Sequence, residues 1–179
     1  STGGIGGVHR GAELSFDISA DLSELAQTSI TVVAAGAKAI LDLPKTLEVL
    51  ETLGVPVIAY GQNELPAFWS CSSGLMAPLR LDTPKEIALA HKKRSQLGIL
   101  GGQLVANPIP VEQQIPQNEL EPMIQKSIEK ARDLKIRNKE VTPFLLNSIL
   151  DLSRGKSLAA NKALILNNAR LASKIAQFL

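Results

Sequence analysis

The sequence predicts an α/β protein, and three observations carry that prediction. Ser29–Ala35 and Val55–Tyr60 are short apolar runs rich in β-branched residues, as strands buried on both faces require. Between them Leu43, Leu47, Leu50 and Leu53 recur at helical spacing. Strand, helix and strand within some thirty residues read as a right-handed βαβ unit with parallel pairing. The last third of the 179 residues is helical in pattern.

The elements follow in order. Ser15–Ile18 is a short apolar strand candidate, and Asp21–Leu25 a helical turn that Ser19 can cap. Gly36 breaks the first long strand, and a helix follows from Lys38 or Pro44 to Leu53, ended by Gly54. The turn-rich segment from Gly61 to Arg80, with Glu64, Pro66, Phe68, Trp69 and Gly74, reads as an ordered functional loop or lid. Thr83-Pro84 opens a helix to about Leu97, whose His91–Arg94 basic cluster suits a solvated helix end. Gly98–Ala106 supplies another buried strand, closed by Asn107–Pro110, and 111–118 is polar and loop-like. A surface helix runs from Asn118 or Glu121 to Lys135. Thr142-Pro143 starts a helix to about Leu152, and Ser157 caps the last long one. No repeat or linker interrupts this order, so residues 1–179 read as a single α/β domain portion.

Composition bounds the function. A chain of this length buries roughly 70% of its unfolded surface, enough for one core. The net charge of +2 and an aromatic content of 3% argue against a nucleic-acid surface, which needs positive charge or stacking platforms. The single cysteine, Cys71, excludes an internal disulfide framework and a cysteine-based zinc site, and suits a reducing, cytoplasmic setting. No apolar run reaches membrane-spanning length, and the given residues contain no basic-plus-apolar stretch of the kind a leader carries. The opening residues read like the inside of an enzyme, so an upstream portion is expected.

Four constellations can carry chemistry. Thr2–Arg10 places four glycines in the five positions Gly3–Gly7, flanked by Thr2, His9 and Arg10. Exposed backbone N–H groups with hydroxyl, imidazole and guanidinium donors suit phosphate, and a structural glycine turn at a buried crossing is the alternative. Neither the dinucleotide fingerprint nor a P-loop fits, and Gly155-Lys156-Ser157 lacks the glycine-rich loop before it. Asp17-Ile-Ser-Ala-Asp21 offers two carboxylates for a hard cation; the alternative is Ser19 and Asp21 as helix-start residues on free N–H groups. Lys38 follows a buried strand among Ala and Gly; it is either an amine held for carbonyl attack or a side chain reaching solvent. Asn161, Asn167 and Asn168 interrupt an Ala/Leu-rich helix, where a buried asparagine needs a partner, either a ligand or a local side-chain hydrogen bond.

These segments resemble, in order along the whole chain, the pseudouridine-5′-phosphate glycosidase family, also called indigoidine synthase A-like. The matching stretches are Thr2–Arg10, Asp17–Asp21, Ala35–Asp42, Thr46–Thr52, Glu64–Phe68, Pro108–Pro110, Thr142–Leu146, Ser157–Asn161 and Asn167–Ala169. The resemblance implies a three-layer α/β/α sandwich around a largely parallel or mixed sheet, assembled as a homotrimer. It implies reversible cleavage of the C–C glycosidic bond of pseudouridine 5′-phosphate to uracil and ribose 5-phosphate. Lys38 matches the lysine that forms a Schiff base with C1′ of the ring-opened sugar. Asp21 matches the direct ligand of an Mn²⁺ held largely through waters. Thr2, His9 and Ser19 match the substrate's phosphate neighbourhood, Gly3 and Val8 are further substrate-binding positions, and Asn161 matches an asparagine on the uracil. A C–C bond offers no leaving-group oxygen to protonate, so a lysine-derived electron sink suits it better than a carboxylate pair.

Two departures stand out. The family carries an N-terminal portion with a catalytic glutamate and a second active-site lysine, which have no counterpart here. The family's Asp-Glu-Phe-Pro-Ala-Phe-Tyr pattern reads Asn63-Glu-Leu-Pro-Ala-Phe-Trp69. The competing readings are a Schiff-base lyase or aldolase on another phosphorylated sugar, and a non-catalytic phosphometabolite-binding fragment.

Overall fold

The computed structural model describes residues 1–136 and 140–179. Its elements are α1 (Ala12–Ser15), α2 (Ala20–Gln27), β1 (Thr31–Ala34), α3 (Leu43–Thr52), β2 (Val57–Tyr60), β3 (Leu79–Leu81), α4 (Pro84–Gln96), β4 (Gln103–Ala106), a 3₁₀ turn (Val111–Gln113), α5 (Gln117–Asp133), α6 (Val141–Leu152) and α7 (Lys156–Ala176). The four strands form one sheet in the order β1-β4-β2-β3, every neighbouring pair parallel.

The expected βαβ unit is thus parallel, but its two strands are not neighbours. β4 lies between them, with Val33 opposite Val105 on one side and Ile58 opposite Val105 on the other. All four β4 residues are buried, so this strand belongs at the centre, flanked on both edges. β3, inside the segment expected as loop, is a three-residue exposed edge strand whose pattern is too short to read.

Successive side chains on a strand point to opposite faces, and the two faces here meet different helices. Val33 and Val105 pack with Ile87 and Ala88 of α4 and Leu171 and Ile175 of α7. Ala34, Leu104 and Ala106 join the core that holds Leu22 and Leu25 of α2 and Leu50 of α3. Helices therefore cover both faces, as the α/β sandwich requires. Among the described residues no helix is long and apolar enough to cross a membrane.

Local signals explain most boundaries. Asp42 accepts from the Lys45 amide at the start of α3, with Pro44 in its first turn. Three starts differ from expectation. Ser15–Ile18 is no strand: α1 is a single turn between left-handed Gly11 (φ 84) and Phe16 (φ 52), and Ile18 makes only an isolated bridge to Val8. α6 begins before Thr142-Pro143, without a side-chain cap. Ser157 is not the cap of α7 but sits buried in its first turn, where its amide donates to Ser153 Oγ at 3.2 Å.

Candidate functional site

The glycine-rich run lies along the free edge of β1 as an irregular fifth strand. The Thr2 amide donates to Val33 O, Ala35 N to Gly3 O, Ile5 N to Gly36 O and Lys38 N to Ile5 O, all within 2.9–3.1 Å. Glycine is required here by close approach: a Cβ on Gly4 would lie 2.6 Å from the Phe68 ring, and one on Gly36 (φ 85) 2.7 Å from Pro66 O. Phe68 itself holds a left-handed φ of 60 while buried, and its amide donates to Ala35 O. A bulky side chain in that conformation is strained, and such strain gathers at functional sites. The run is a buried crossing, yet the amides of Gly3 and Gly4 have no protein acceptor among the described residues. They remain available to an anion.

Lys38 leaves this crossing half-buried and lines a cavity of ≈ 470 Å³ with Thr2, Gly4, Asp21, Glu24 and Val32. No carboxylate among the described residues pairs with its ammonium. Ser19 caps α2 as expected, accepting from the Asp21 amide at 3.2 Å. Asp21 in turn accepts from Gly6 N–H at 2.7 Å, which locks α2's N-terminus onto the glycine run. Thr2, Asp21 and Lys38 therefore share one cavity, while Gly3 faces Leu164 and Ile165 of α7 and Ser19 does not line the cavity.

The other expected residues lie elsewhere. Val8 N–H donates to Thr46 Oγ1 at 3.0 Å, inside the core. His9, 3.9 Å from Asp17, lines a separate cavity of ≈ 150 Å³ with Arg10, Ile40 and Ile128. Arg10 is held bidentately by Glu121 of α5, at 2.7 and 3.1 Å, and keeps the Glu121 carboxyl below its ordinary range. Asn161 stands on α7, where its Oδ1 accepts from the Trp69 indole N–H at 2.6 Å. Neither His9 nor Asn161 lines the Lys38 cavity.

Two polar devices were not readable as such in the sequence. Asn168, fully buried, donates its Nδ2 to the carbonyls of Thr2 (2.9 Å) and Gly3 (3.3 Å) and accepts from Asn107 Nδ2 (3.0 Å). Asn167 donates to Pro108 O at 3.0 Å. The asparagines in an apolar helix are the trace these contacts leave, but their partners lie 59 to 166 residues away. The segment expected as a functional loop is ordered: Gln62 Nε2 donates to Glu64 O and Cys71 O, and Glu64 accepts from Ser72 Oγ and Gly74 N–H.

The expected Mn²⁺ does not fit. Among the described residues no three His, Cys, Asp or Glu side chains converge on a point where an ion could sit. Asp21 is engaged by Gly6 N–H, and Asp17 is turned toward His9. Asp21 therefore sits in the first turn of α2, as the helix-start alternative describes, and Asp17 pairs with His9 instead of sharing a cation with Asp21.

Comparison with known proteins extends this picture. The family model for indigoidine synthase A-like proteins matches residues 1–178. The chain is 66% identical over 176 residues to a pseudouridine-5′-phosphate glycosidase of Paracoccus denitrificans, covering 98% of this chain and 58% of that protein. It is 63% identical over 179 residues to the enzyme of the same name from Jannaschia sp., covering 100% and 59%. Among solved structures, the prealnumycin C-glycosynthase AlnA in complex with ribulose 5-phosphate superposes with a TM-score of 0.93 at 34% identity, over 99% of this chain and 59% of that one. An indigoidine synthase A-like protein of Thermotoga maritima gives 0.88 at 37%, over 98% and 57%. The chain thus spans under three-fifths of the length of each of these relatives.

Proposed function

This chain belongs to the indigoidine synthase A-like family, and from that premise we propose that it serves reversible cleavage of pseudouridine 5′-phosphate to uracil and ribose 5-phosphate. The observation that carries the reading is Lys38 on the wall of a ≈ 470 Å³ cavity, beside Thr2 and the Gly4 backbone and without a carboxylate partner among the described residues.

In this reading the Lys38 amine attacks C1′ and displaces the ring oxygen, leaving an open sugar with a secondary amine on C1′. A proton is delivered to C5 of the uracil. The nitrogen lone pair then forms the C1′=N bond as the C1′–C5 bond breaks, and that electron pair completes the released uracil. Water hydrolyses the imine to ribose 5-phosphate and frees the lysine. The phosphate holds the open chain so that C1′ stays at the amine. Support for Thr2 in that role comes from its place on the cavity wall, for Gly3 from its amide without an acceptor among the described residues, and for Ser19 from its contact with the run. Support for Val8 and His9 comes from sequence resemblance alone. Asn161 is assigned to the uracil, and its Nδ2 has no acceptor among the described residues. Assembly as a homotrimer belongs to the same proposal, and the exposed Leu14 and Phe16 support a covered face in the assembled protein.

A second reading, C-glycoside formation between a pentose phosphate and a different acceptor, is favoured by the likeness to the C-glycosynthase. Incubation with pseudouridine 5′-phosphate separates the two. Equimolar uracil and ribose 5-phosphate are expected, and Lys38→Ala should abolish both. Release that persists in Lys38→Ala would contradict the assignment; intact Lys38 chemistry with no uracil release would favour the second reading.

A further inference from the structure

The geometry points to Trp69 as the residue that sets which edge of Asn161 a ligand meets, and so as a determinant of base specificity. This rests on the reading above that Asn161 faces the nucleobase.

An asparagine side chain is nearly symmetric in shape but opposite in polarity at its two ends, and an unrestrained one can rotate to match either a donor or an acceptor. Trp69 removes that choice. Its indole N–H is a donor only, it is buried, and it lies 2.6 Å from Asn161 Oδ1. Turning the amide over would set two donors against each other and leave the buried indole N–H unsatisfied. Trp69 is itself fixed: its ring packs 4.9 Å from that of Phe68, whose backbone is bound to Ala35, and its carbonyl accepts from the Ile115 amide at 2.7 Å. Asn161 lies one helical turn before Leu164 and Ile165, the side chains nearest Gly3, and so stands on the face of α7 turned toward the glycine run. Its free edge carries only N–H donors. A tyrosine, as in the family pattern, has a hydroxyl that donates or accepts and would not impose the same polarity. The ligand group that Asn161 selects is therefore an acceptor, a ring carbonyl of the pyrimidine.

The test uses ribose 5-phosphate-loaded protein titrated with uracil, 2-thiouracil and 4-thiouracil, each thio-base weakening one carbonyl acceptor. Wild type should bind one thio-base about tenfold less tightly than uracil, the worth of one hydrogen bond. In Trp69→Phe that discrimination should shrink to about twofold or less, because the amide is free to turn. Full discrimination retained in folded Trp69→Phe overturns the inference. Asn161→Asp, which keeps the acceptor for Trp69 but loses the donors, should weaken uracil about tenfold. Unchanged uracil affinity there means Asn161 does not face the base, and the underlying reading falls instead. Should Trp69→Phe fail to fold, the chain's only tryptophan gives one indole N–H resonance to follow. Asn161→Ala must move that resonance and speed its exchange with solvent; an unmoved, equally protected signal overturns the inference.

Discussion

α4 and α7 flank the same sheet face and share one core with Val33 and Val105, yet they are built by different rules. The ends of α4 are defined locally. Thr83 and Glu86 form a reciprocal capping box, Pro84 sits in the first turn, and Lys93 and Arg94 occupy the last. α7 starts on Gly155 with no side-chain cap, and its asparagines reach to Trp69, Pro108, Asn107 and the opening glycine run. One helix is a support, and the other holds the crossing from which Lys38 emerges. Polar residues placed against local propensity mark the second kind.

The largest effect that can break this contrast is Asn168→Leu. It leaves the Thr2 and Gly3 carbonyls and the Asn107 amide without their buried partner, at a cost of about 3 kcal/mol or more. Urea unfolding monitored at the single tryptophan should register it as a lower midpoint with the slope unchanged. Thr83→Ala, at the α4 cap, should cost about 1 kcal/mol in the same experiment and leave Lys38 chemistry untouched. A cap loss larger than the Asn168 loss would reverse the contrast.

The smallest expected effect sharpens the edge of the site. Arg10 holds the Glu121 carboxyl below its ordinary value, chiefly by hydrogen bonding, so the folded state favours the ionised form. Stability from this pair is full above the ordinary carboxylate value of 4.5 and is lost as pH falls through the lowered one. Glu121→Gln should therefore sit about 0.5 kcal/mol below wild type near neutral pH, a modest figure because the pair is partly screened by solvent. The gap should close in acid. A gap that widens in acid would show that Glu121 is not held by Arg10.

What was legible in the sequence follows the same division. The strands at Thr31–Ala34 and Val57–Tyr60, the α4 cap and the Ser19 cap of α2 were readable because periodicity and caps are encoded within a few residues. Strand order was not, because β4's central place is decided by burial of the whole sheet. Ser157 looked like a cap because nothing local announces that Ser153 Oγ would receive its amide. Residue type and position mark Lys38, Thr2 and Asp21, which share a cavity, but Asp21's partner is the Gly6 amide, and a metal site needs convergence that spacing does not reveal. Asn161 is marked by its place in an apolar helix, but its partner Trp69 depends on a loop folding back across 92 residues.

The central claim is that Lys38 is the amine that captures the sugar. Borohydride reduction in the presence of ribose 5-phosphate, followed by peptide mass analysis, tests it most directly. The account requires one reduced sugar-phosphate adduct, on the peptide containing Lys38, absent in Lys38→Ala and without ribose 5-phosphate. A folded protein that gives no adduct, or one whose adduct falls on exposed Lys45 instead, would contradict it.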